Sequence, residues 1–300
     1  MKMKRVIGLI LACLLMLVFT GCAGQEAPAQ SPETSNTESA APSESVESSE
    51  SADGEEVELI VFAAASMTET LTQIQEMYKE VAPNVTLTFN FDSSGTLVTQ
   101  IEEGADCDIF ISAAQKQMDE IDSSKGEDVN PEGFDFVEQG TRVDMLENKV
   151  TLAVPEGNPK GIESFDQLAE ALKSGDILMA MGNSDVPVGQ YTQKIFEYYD
   201  LNEEDLANAG VLTYGSNVKE VTTQVKEASV DCGVIYATDA FSDGLTVVDS
   251  ATPEMCGQVI YPAAVLGISQ NKEAAQAFLD YLMTDECMEV FEGVGFSPVA

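Results

Sequence analysis

The chain has 300 residues, with 14 lysines and arginines, 52 aspartates and glutamates, and no histidine. This length allows one or two domains with a sizeable core. The acidic surplus repels phosphate backbones and so excludes DNA or RNA as a partner, and the missing histidine removes the usual proton shuttle and the commonest metal ligand.

Residues 1–21 have the pattern of an export signal. Three basic residues precede an apolar run that ends at Phe19 and is too short to span a bilayer comfortably. The run continues into Val-Phe-Thr-Gly-Cys, which resembles a bacterial lipobox with phenylalanine in place of the usual leucine. A lipobox implies that Cys22 becomes the lipidated first residue, anchored on the extracytoplasmic side of the cell membrane. The alternative is an ordinary signal peptide with an incidental cysteine.

Residues 22–56 consist mainly of Ala, Ser, Glu, Pro, Thr and Gln and have almost no large apolar side chain. Such a segment cannot bury enough surface to fold. We expect a disordered acidic linker between the lipid and the folded part of the chain.

From Val57 onward, strand patterns alternate with helix patterns, which is typical of an α/β fold with mostly parallel sheets flanked by helices. The predicted strands are 57–62, 85–91, 107–112, 149–154, 177–181, 211–214, 232–237, 245–248 and 258–267. The predicted helices are 67–81, 95–103, 115–122, 163–173, 189–199, 217–228 and 272–292, the last with a break near 284.

The roughly 240 residues from Val57 onward exceed one comfortable doubly wound sheet, so we expect two lobes. A polar stretch at 123–140 is the predicted surface excursion before the chain crosses between them. The predicted divisions are 57–147 for the first part of lobe I, 148–236 for lobe II and 237–300 for the second part of lobe I.

Four cysteines follow the linker. Cys107 and Cys232 occur in apolar strand patterns, so we expect buried free thiols at both positions. Cys256 and Cys287 could form a disulfide or stay free, and the sequence leaves both states open.

The first strand-to-helix junction places Ser66 where the strand pattern at 57–62 gives way to helical spacing at Leu71 and Ile74. With Glu69 three residues on, Ser66 fits a capping box. The free backbone N–H groups and the positive end of the dipole at such a helix start attract anions. The junction therefore predicts either a helix cap alone or a cap that also contributes to an anion site.

Three later junctions have the same chemistry. They offer small residues, hydroxyls or free backbone N–H groups at helix starts, and the only cation among them is Lys219. Because ligands bind beyond the carboxyl ends of strands in open α/β sheets, four such junctions predict a cleft lined by N–H and O–H donors. The three later junctions are 91–96, 185–191 and 214–219.

The stretches that carry these junctions resemble the molybdate-binding proteins of ABC transporters. They read VFAAASMTETL from Val61, FNFDSSGTLVTQIEEGADCDIFISAAQKQMD from Phe89, VPVGQYTQ from Val186 and DCGVIYATDA from Asp231. The resemblance extends from Val57 almost to the end of the chain. It implies the type II periplasmic-binding-protein fold, in which two α/β lobes joined by two hinge segments close on the ligand.

The resemblance also implies a set of ligand-binding residues. Two serine hydroxyls, two backbone N–H groups and a tyrosine hydroxyl are expected to bind the oxygens of the anion, with no direct protein ligand on its metal and no separate cofactor. Gly95 and Val188 stand where the family has serine and alanine, and these changes could alter the size of the pocket. The residues at the matching positions are Ser66, Ser94, Val188, Val218 and Tyr236.

The implied function is extracytoplasmic capture of molybdate or tungstate by a monomeric, lipid-anchored protein that delivers the ion to an ABC permease and its ATPase. A pocket that contains only donors favours fully deprotonated oxyanions such as molybdate, tungstate and sulfate, whereas hydrogen phosphate needs an acceptor for its proton. Asp92, beside the second junction, could supply that acceptor. We expect Asp92 to point away from the pocket or to cap the helix.

Three other functions remain open. A sulfate or phosphate binder would differ from a molybdate binder in cavity size and proton acceptors, which the sequence does not measure. A tethered oxyanion sensor would use the same site. An enzyme with Ser66 or Cys232 as nucleophile is disfavoured, because the chain contains no histidine to act as its base.

Overall fold

The computed structural model of the chain describes residues 55–299, so the predicted signal peptide, Cys22 and nearly all of the predicted linker lie outside the described residues. The strands are β1 (Val57–Ala64), β2 (Val85–Asp92), β3 (Ile109–Ile111), β4 (Val143–Asn148), β5 (Val150–Val154), β6 (Met179–Gly182), β7 (Leu212–Gly215), β8 (Cys232–Tyr236), β9 (Thr246–Ser250), β10 (Val259–Val265) and β11 (Ser297–Pro298). The α-helices are α1 (Thr68–Val81), α2 (Ser94–Glu102), α3 (Gln115–Glu120), α4 (Phe165–Ser174), α5 (Pro187–Tyr198), α6 (Glu203–Ala209), α7 (Val218–Lys226), α8 (Ala237–Asp243), α9 (Pro253–Cys256), α10 (Lys272–Leu282) and α11 (Asp285–Gly293).

The first sheet has the strand order β11-β4-β10-β3-β1-β2. Strand β1 is parallel to β2 and β3, whereas β10 is antiparallel to β3 and β4. Strands β1 and β2 stay in register to their last residues, where Ala64 pairs with Asp92. The helices that follow these two strands therefore begin at the same edge of the sheet, beyond the carboxyl ends of the strands.

The second sheet has the strand order β7-β6-β8-β5-β9. Strand β6 is parallel to β7 and β8, whereas β5 is antiparallel to β8 and β9. Each sheet is therefore mixed: three neighbouring strands are parallel, and every other strand pairs antiparallel with its neighbours. The antiparallel strands β5 and β10 each follow a crossing between the lobes, so they enter their sheets from the opposite end.

The chain crosses from the first sheet to the second at Lys149, between β4 and β5. The return comes later than the predicted division at 236/237. Strand β9 pairs with β5 in the second sheet, so residues through Ser250 belong to the second lobe. The predicted division at 236/237 is therefore wrong. The sequence could not place this boundary, because β9 is a largely exposed edge strand and its side chains form no pattern that assigns it to either lobe.

Most predicted helices and strands are present, with ends shifted by a few residues. Helix α1, for example, buries Leu71, Ile74 and Tyr78 along one face, which is the spacing that predicted it. The sequence failed to predict β4, β11, α6, α8 and α9. These elements are short or, like α6, bury a single apolar side chain, so they have little periodicity to detect.

The four cysteines of the described range are free and buried. Cys256 and Cys287 therefore do not form a disulfide with each other. Between residues 55 and 299, none of the helices has the length and apolar character needed to span a membrane.

Candidate functional site

A small cavity lies where the helix starts after β1, β2, β6 and β7 meet between the lobes. Its empty volume is about 200 Å³, part of which is open to solvent. Four of the five predicted ligand-binding residues border it, and Val188 does not. The first lobe contributes Ser66, Asp92, Ser94 and Ala113, and the second lobe contributes Val186, Pro187, Val218 and Tyr236.

Ser66 does not cap a helix, so the predicted capping box is wrong. A 3-10 turn at Ala65–Met67 precedes α1, and the start of α1 has no side-chain cap. The Ser66 Oγ instead lies 2.9 Å from the Tyr261 hydroxyl oxygen of β10. Glu69, the other half of the predicted box, pairs with Lys219. Partners from distant parts of the chain therefore replace the local hydrogen bonds of a capping box.

The Ser66–Tyr261 hydrogen bond can run in either direction, and with Tyr261 as the donor the Ser66 proton is left free. The Tyr261 oxygen accepts a hydrogen bond from Asn148 Nδ2 at 3.1 Å, and Ser66 Oγ lies within reach of the single Tyr261 proton. Ser66 can then donate its own proton into the cavity. Burial raises the pKa of Tyr261 well above its usual value, so Tyr261 keeps its proton at neutral pH.

Ser94 is the first residue of α2 and is completely buried. Its Oγ accepts a hydrogen bond from the Ala113 N–H at 2.9 Å, which leaves the Ser94 proton free to donate into the cavity. Ser93, the preceding residue, caps α2 by accepting a hydrogen bond from the Thr96 N–H at 3.1 Å. Because Ser93 caps the helix, Ser94 is available for a ligand.

Tyr236 ends β8 and reaches the cavity from the second lobe. Its hydroxyl is buried and makes no hydrogen bond to the part of the chain that the structure describes. Burial raises the pKa of Tyr236 well above its usual value, so the hydroxyl is a neutral donor at physiological pH. A buried donor without a partner costs about 1–3 kcal/mol. A ligand oxygen in the cavity would relieve that cost.

Val218 and Val188 have their N–H groups at helix starts. Val218 is the first residue of α7 and borders the cavity, and Val188 is the second residue of α5. N–H groups in the first turn have no acceptor within their own helix, and the helix dipole adds positive potential beside them. The neighbours Val186 and Pro187 line the cavity in place of Val188, whose side chain is fully buried in the core.

Asp92 borders the cavity, and Ser93 caps α2 in its place, so the expectation that Asp92 caps this helix was wrong. Its Oδ1 accepts hydrogen bonds from the Ser93 N–H at 2.7 Å and from Asn217 Nδ2 of the second lobe at 3.4 Å. Its Oδ2 makes no hydrogen bond within residues 55–299. Asp92 therefore provides a contact between the lobes at the edge of the cavity.

Lys219, the residue after Val218, is paired with two carboxylates. Its Nζ lies 2.8 Å from Glu69 in the first lobe and 3.1 Å from Asp239 in α8. Burial raises the pKa of Asp239 to about 6, although Lys219 opposes the shift. Burial would lower the pKa of Lys219, but the two carboxylates outweigh burial and raise it. The positive charge of Lys219 is therefore neutralised by the two carboxylates, and the hydrogen-bond donors that border the cavity are neutral.

A wider cleft of 1220 Å³ adjoins the cavity between α3 and α5. Its lining includes Lys116, Lys194 and Glu197, whose side chains are exposed and carry both signs of charge. Pro187 borders both spaces, so the cleft and the cavity are adjacent. Because the unpartnered Tyr236 hydroxyl borders the smaller space, the cavity is the candidate binding site.

The residues that border the cavity supply hydrogen-bond donors for an anion. Ser66 is hydrogen-bonded to a tyrosine hydroxyl, which is a poor base, and burial raises the pKa of Cys232 so that its thiol stays protonated. Within residues 55–299, no group of three or more His, Cys, Asp or Glu side chains could bind a metal ion. The donors suit the oxygens of a small oxyanion.

The sequence did not predict the residues that orient the two serines. Tyr261 lies 195 residues after Ser66, Asn148 lies 113 residues before Tyr261, and Ala113 lies 19 residues after Ser94. Contacts of this kind depend on strand pairing. No motif in a single sequence identifies them.

The chain is similar to known bacterial proteins. The sequence model of the family described as bacterial extracellular solute-binding protein matches residues 59–297. A Bacillus subtilis protein named as an ABC transporter substrate-binding lipoprotein, YvgL, is 31% identical over 247 residues, which cover 80% of this chain and 86% of that one. The molybdate-binding protein ModA of Haemophilus influenzae is 30% identical over 243 residues, which cover 79% of this chain and 89% of that one.

A solved structure from Clostridium difficile is also similar. It is the substrate-binding domain of a protein assigned to a molybdenum ABC transporter, with 31% identity and a TM-score of 0.58. The match covers 81% of this chain and 100% of that one.

Proposed function

This chain belongs to the bacterial extracellular solute-binding protein family, and on that premise we propose that it captures molybdate outside the cytoplasm and delivers it to an ABC permease and its ATPase. Tungstate, which is nearly the same size, is proposed as a second ligand. The ModA relatives, named for molybdate, support the choice of ion.

The observation that carries the proposal is the set of donors around one small cavity. The hydroxyls of Ser66, Ser94 and Tyr236 and the N–H group of Val218 border it, and the N–H of Val188 lies one residue from its wall. Tetrahedral oxyanions present four oxygens that accept hydrogen bonds, so these donors match their chemistry. Because the donors are neutral, they can replace the ion's hydration without a buried countercharge.

The energies are sufficient for tight binding. A hydrogen bond to a charged acceptor contributes about 1.5–3 kcal/mol, so five donors supply roughly 8–15 kcal/mol before the costs of association. Micromolar affinity corresponds to about 8 kcal/mol. The upper part of the range supports this affinity after some of those costs, even in a chain with a net charge of −38.

A second candidate ligand is hydrogen phosphate, and Asp92 favours it. Asp92 borders the cavity, and its Oδ2 has no hydrogen bond within residues 55–299. A carboxylate oxygen can accept the proton that distinguishes hydrogen phosphate from molybdate and sulfate. Asp92→Asn keeps the side-chain shape and one oxygen for the Ser93 N–H, and it puts an NH2 donor in place of Oδ2. Phosphate binding that depends on Oδ2 as an acceptor would be lost.

A thermal-shift panel tests the choice of ion. Molybdate, tungstate, sulfate and phosphate are each added to the full chain over a range of concentrations. An ion present at about a thousand times its dissociation constant stabilises the native state by about 4 kcal/mol, or roughly 8–16 °C for a domain of this size. We expect this response with molybdate and tungstate. A response to sulfate or phosphate alone would overturn the substrate assignment.

The lipid anchor at Cys22 is a separate proposal. The lipobox-like sequence at 18–22 supports it, as does the name of the Bacillus subtilis relative. Expression with a labelled fatty acid should label the wild-type chain and leave Cys22→Ser unlabelled. Equal labelling of the two proteins would exclude Cys22 as the site of attachment.

A further inference from the structure

The two lobes touch through their backbones directly beside the cavity. The Gly95 N–H of the first lobe donates a hydrogen bond to the Asp185 carbonyl oxygen of the second lobe at 3.1 Å. Gly95 is the second residue of α2 and follows Ser94, whereas Asp185 precedes Val186. Ser94 and Val186 both line the cavity, so this hydrogen bond joins two of its walls.

A side chain at position 95 would prevent this approach. A Cβ atom built on Gly95 would lie less than 3.0 Å from the Asp185 carbonyl oxygen, 3.0 Å from its carbonyl carbon and 3.1 Å from its Cα. All three atoms belong to the backbone, which cannot rotate away as a flexible side chain can. The lobes, or the backbone at Asp185, would have to move to accommodate even alanine.

The backbone conformation does not explain the glycine. Gly95 is helical and is not among the glycines with positive φ. Alanine is preferred to glycine within helices by about 1 kcal/mol. The close contact with Asp185 is therefore the structural feature that requires a residue without a side chain.

We propose that Gly95 is a specificity-determining residue, because its missing side chain sets how far the lobes close and so sets the size of the anion cavity. This inference rests on the proposed function, since it concerns the anion that the cavity binds. Serine or alanine at position 95 would remove none of the proposed donors. It would increase the distance between the donors of one lobe and those of the other. Small anions would lose more contacts than large ones.

The test compares Gly95→Ala with the wild-type chain by calorimetric titration of molybdate and of sulfate. We expect at least tenfold weaker binding of the wild type's best ligand, and a larger fold-loss for sulfate wherever sulfate binding is measurable. Gly293→Ala is the matched control, because Gly293 is also helical and a Cβ there would meet no atom within 4 Å. Unchanged affinity and ion preference in Gly95→Ala would overturn the proposal.

Hydrogen exchange followed by mass spectrometry gives a readout that needs no anion. In Gly95→Ala, peptides that contain residues 94–98 and 184–189 should exchange at least tenfold faster than in the wild type, while the melting temperature stays equal or rises. Unchanged exchange would overturn the closure contact at Gly95. If the wild type binds none of the anions, the proposed function fails, and the exchange rates still decide whether Gly95 limits closure.

Discussion

Replacing Tyr236 with phenylalanine would remove one oxygen atom from the cavity wall and leave the ring in place. The Tyr236 hydroxyl makes no hydrogen bond within residues 55–299, so its removal breaks no hydrogen bond there. In the complex, the hydroxyl would donate to an anion, and a hydrogen bond of this kind is worth about 1.5–3 kcal/mol. We expect Tyr236→Phe to weaken molybdate binding by roughly 10- to 150-fold, since each 1.4 kcal/mol is a factor of ten.

The same substitution should not destabilise the ligand-free protein. A buried hydroxyl without a partner costs about 1–3 kcal/mol, so its removal leaves the free energy of unfolding equal or raises it. Calorimetric titration gives the affinity, and urea unfolding without anion gives the stability. Weaker binding together with undiminished stability separates a lost ligand contact from a damaged fold.

Tyr281→Phe is the matched control for this experiment. The Tyr281 hydroxyl is also buried without a hydrogen bond in the described part of the chain, but Tyr281 lies in α10 and does not border the cavity. Tyr281→Phe should leave the free energy of unfolding equal or raise it, as Tyr236→Phe does, and it should bind molybdate with wild-type affinity. Unchanged molybdate affinity in Tyr236→Phe, or an equal loss in both variants, would refute the role assigned to the Tyr236 hydroxyl.

Ser66→Ala and Ser94→Ala should each weaken molybdate binding about tenfold or more in calorimetric titrations, because each loses one hydrogen bond to a charged acceptor; near-native affinity in the double variant would remove both serines from the site. Val218→Pro should abolish most binding while Val218→Ala changes little, because proline suits the first position of a helix and removes only the N–H; equal affinities would show that this N–H does not bind the anion. Burial raises the pKa of Asp239 to about 6, above the value of about 3.9 for an unfolded aspartate, so the native state binds a proton that the unfolded chain releases. The contribution of Asp239 to the free energy of unfolding should therefore fall as pH rises from about 4 to about 6. In urea unfolding across this range, the free energy of unfolding should fall less with pH in Asp239→Asn than in the wild type. An identical dependence on pH in the two proteins would contradict the raised pKa.

The sequence predicted the parts of the fold that depend on local periodicity. Helix α1 and strands β1 and β2 have strong patterns, and the two-lobe fold followed from their alternation and from the family resemblance. Strand β9 shows where this reasoning fails. Its side chains are largely exposed, so its place in the second sheet depends on pairing with β5, which no local pattern reports.

The candidate site was also predicted only in part. Ser94, Val218 and Tyr236 stand at strand ends or helix starts, which short motifs identify, and they border one cavity in the structure. Ser66 also borders it, but the capping box was wrong because Tyr261 is the partner of its hydroxyl. The orientation of a hydroxyl depends on atoms distant in the chain, so the sequence can name a donor without predicting its partner.

The family resemblance indicated that Gly95 could alter the size of the pocket, but the sequence did not show how. Taken alone, a glycine at the second position of a helix suggests only a weaker helix. Its contact with Asp185 exists because the lobes meet there, and the relative placement of two lobes is not encoded in any short stretch of residues.

The most direct test of the central claim is a crystal structure of the protein grown with molybdate, with anomalous diffraction data collected near the molybdenum absorption edge. We predict a single strong anomalous peak in the cavity between the hydroxyls of Ser66, Ser94 and Tyr236. A peak in the wider cleft beside Lys116 and Lys194, or no peak at a saturating concentration of molybdate, would contradict it.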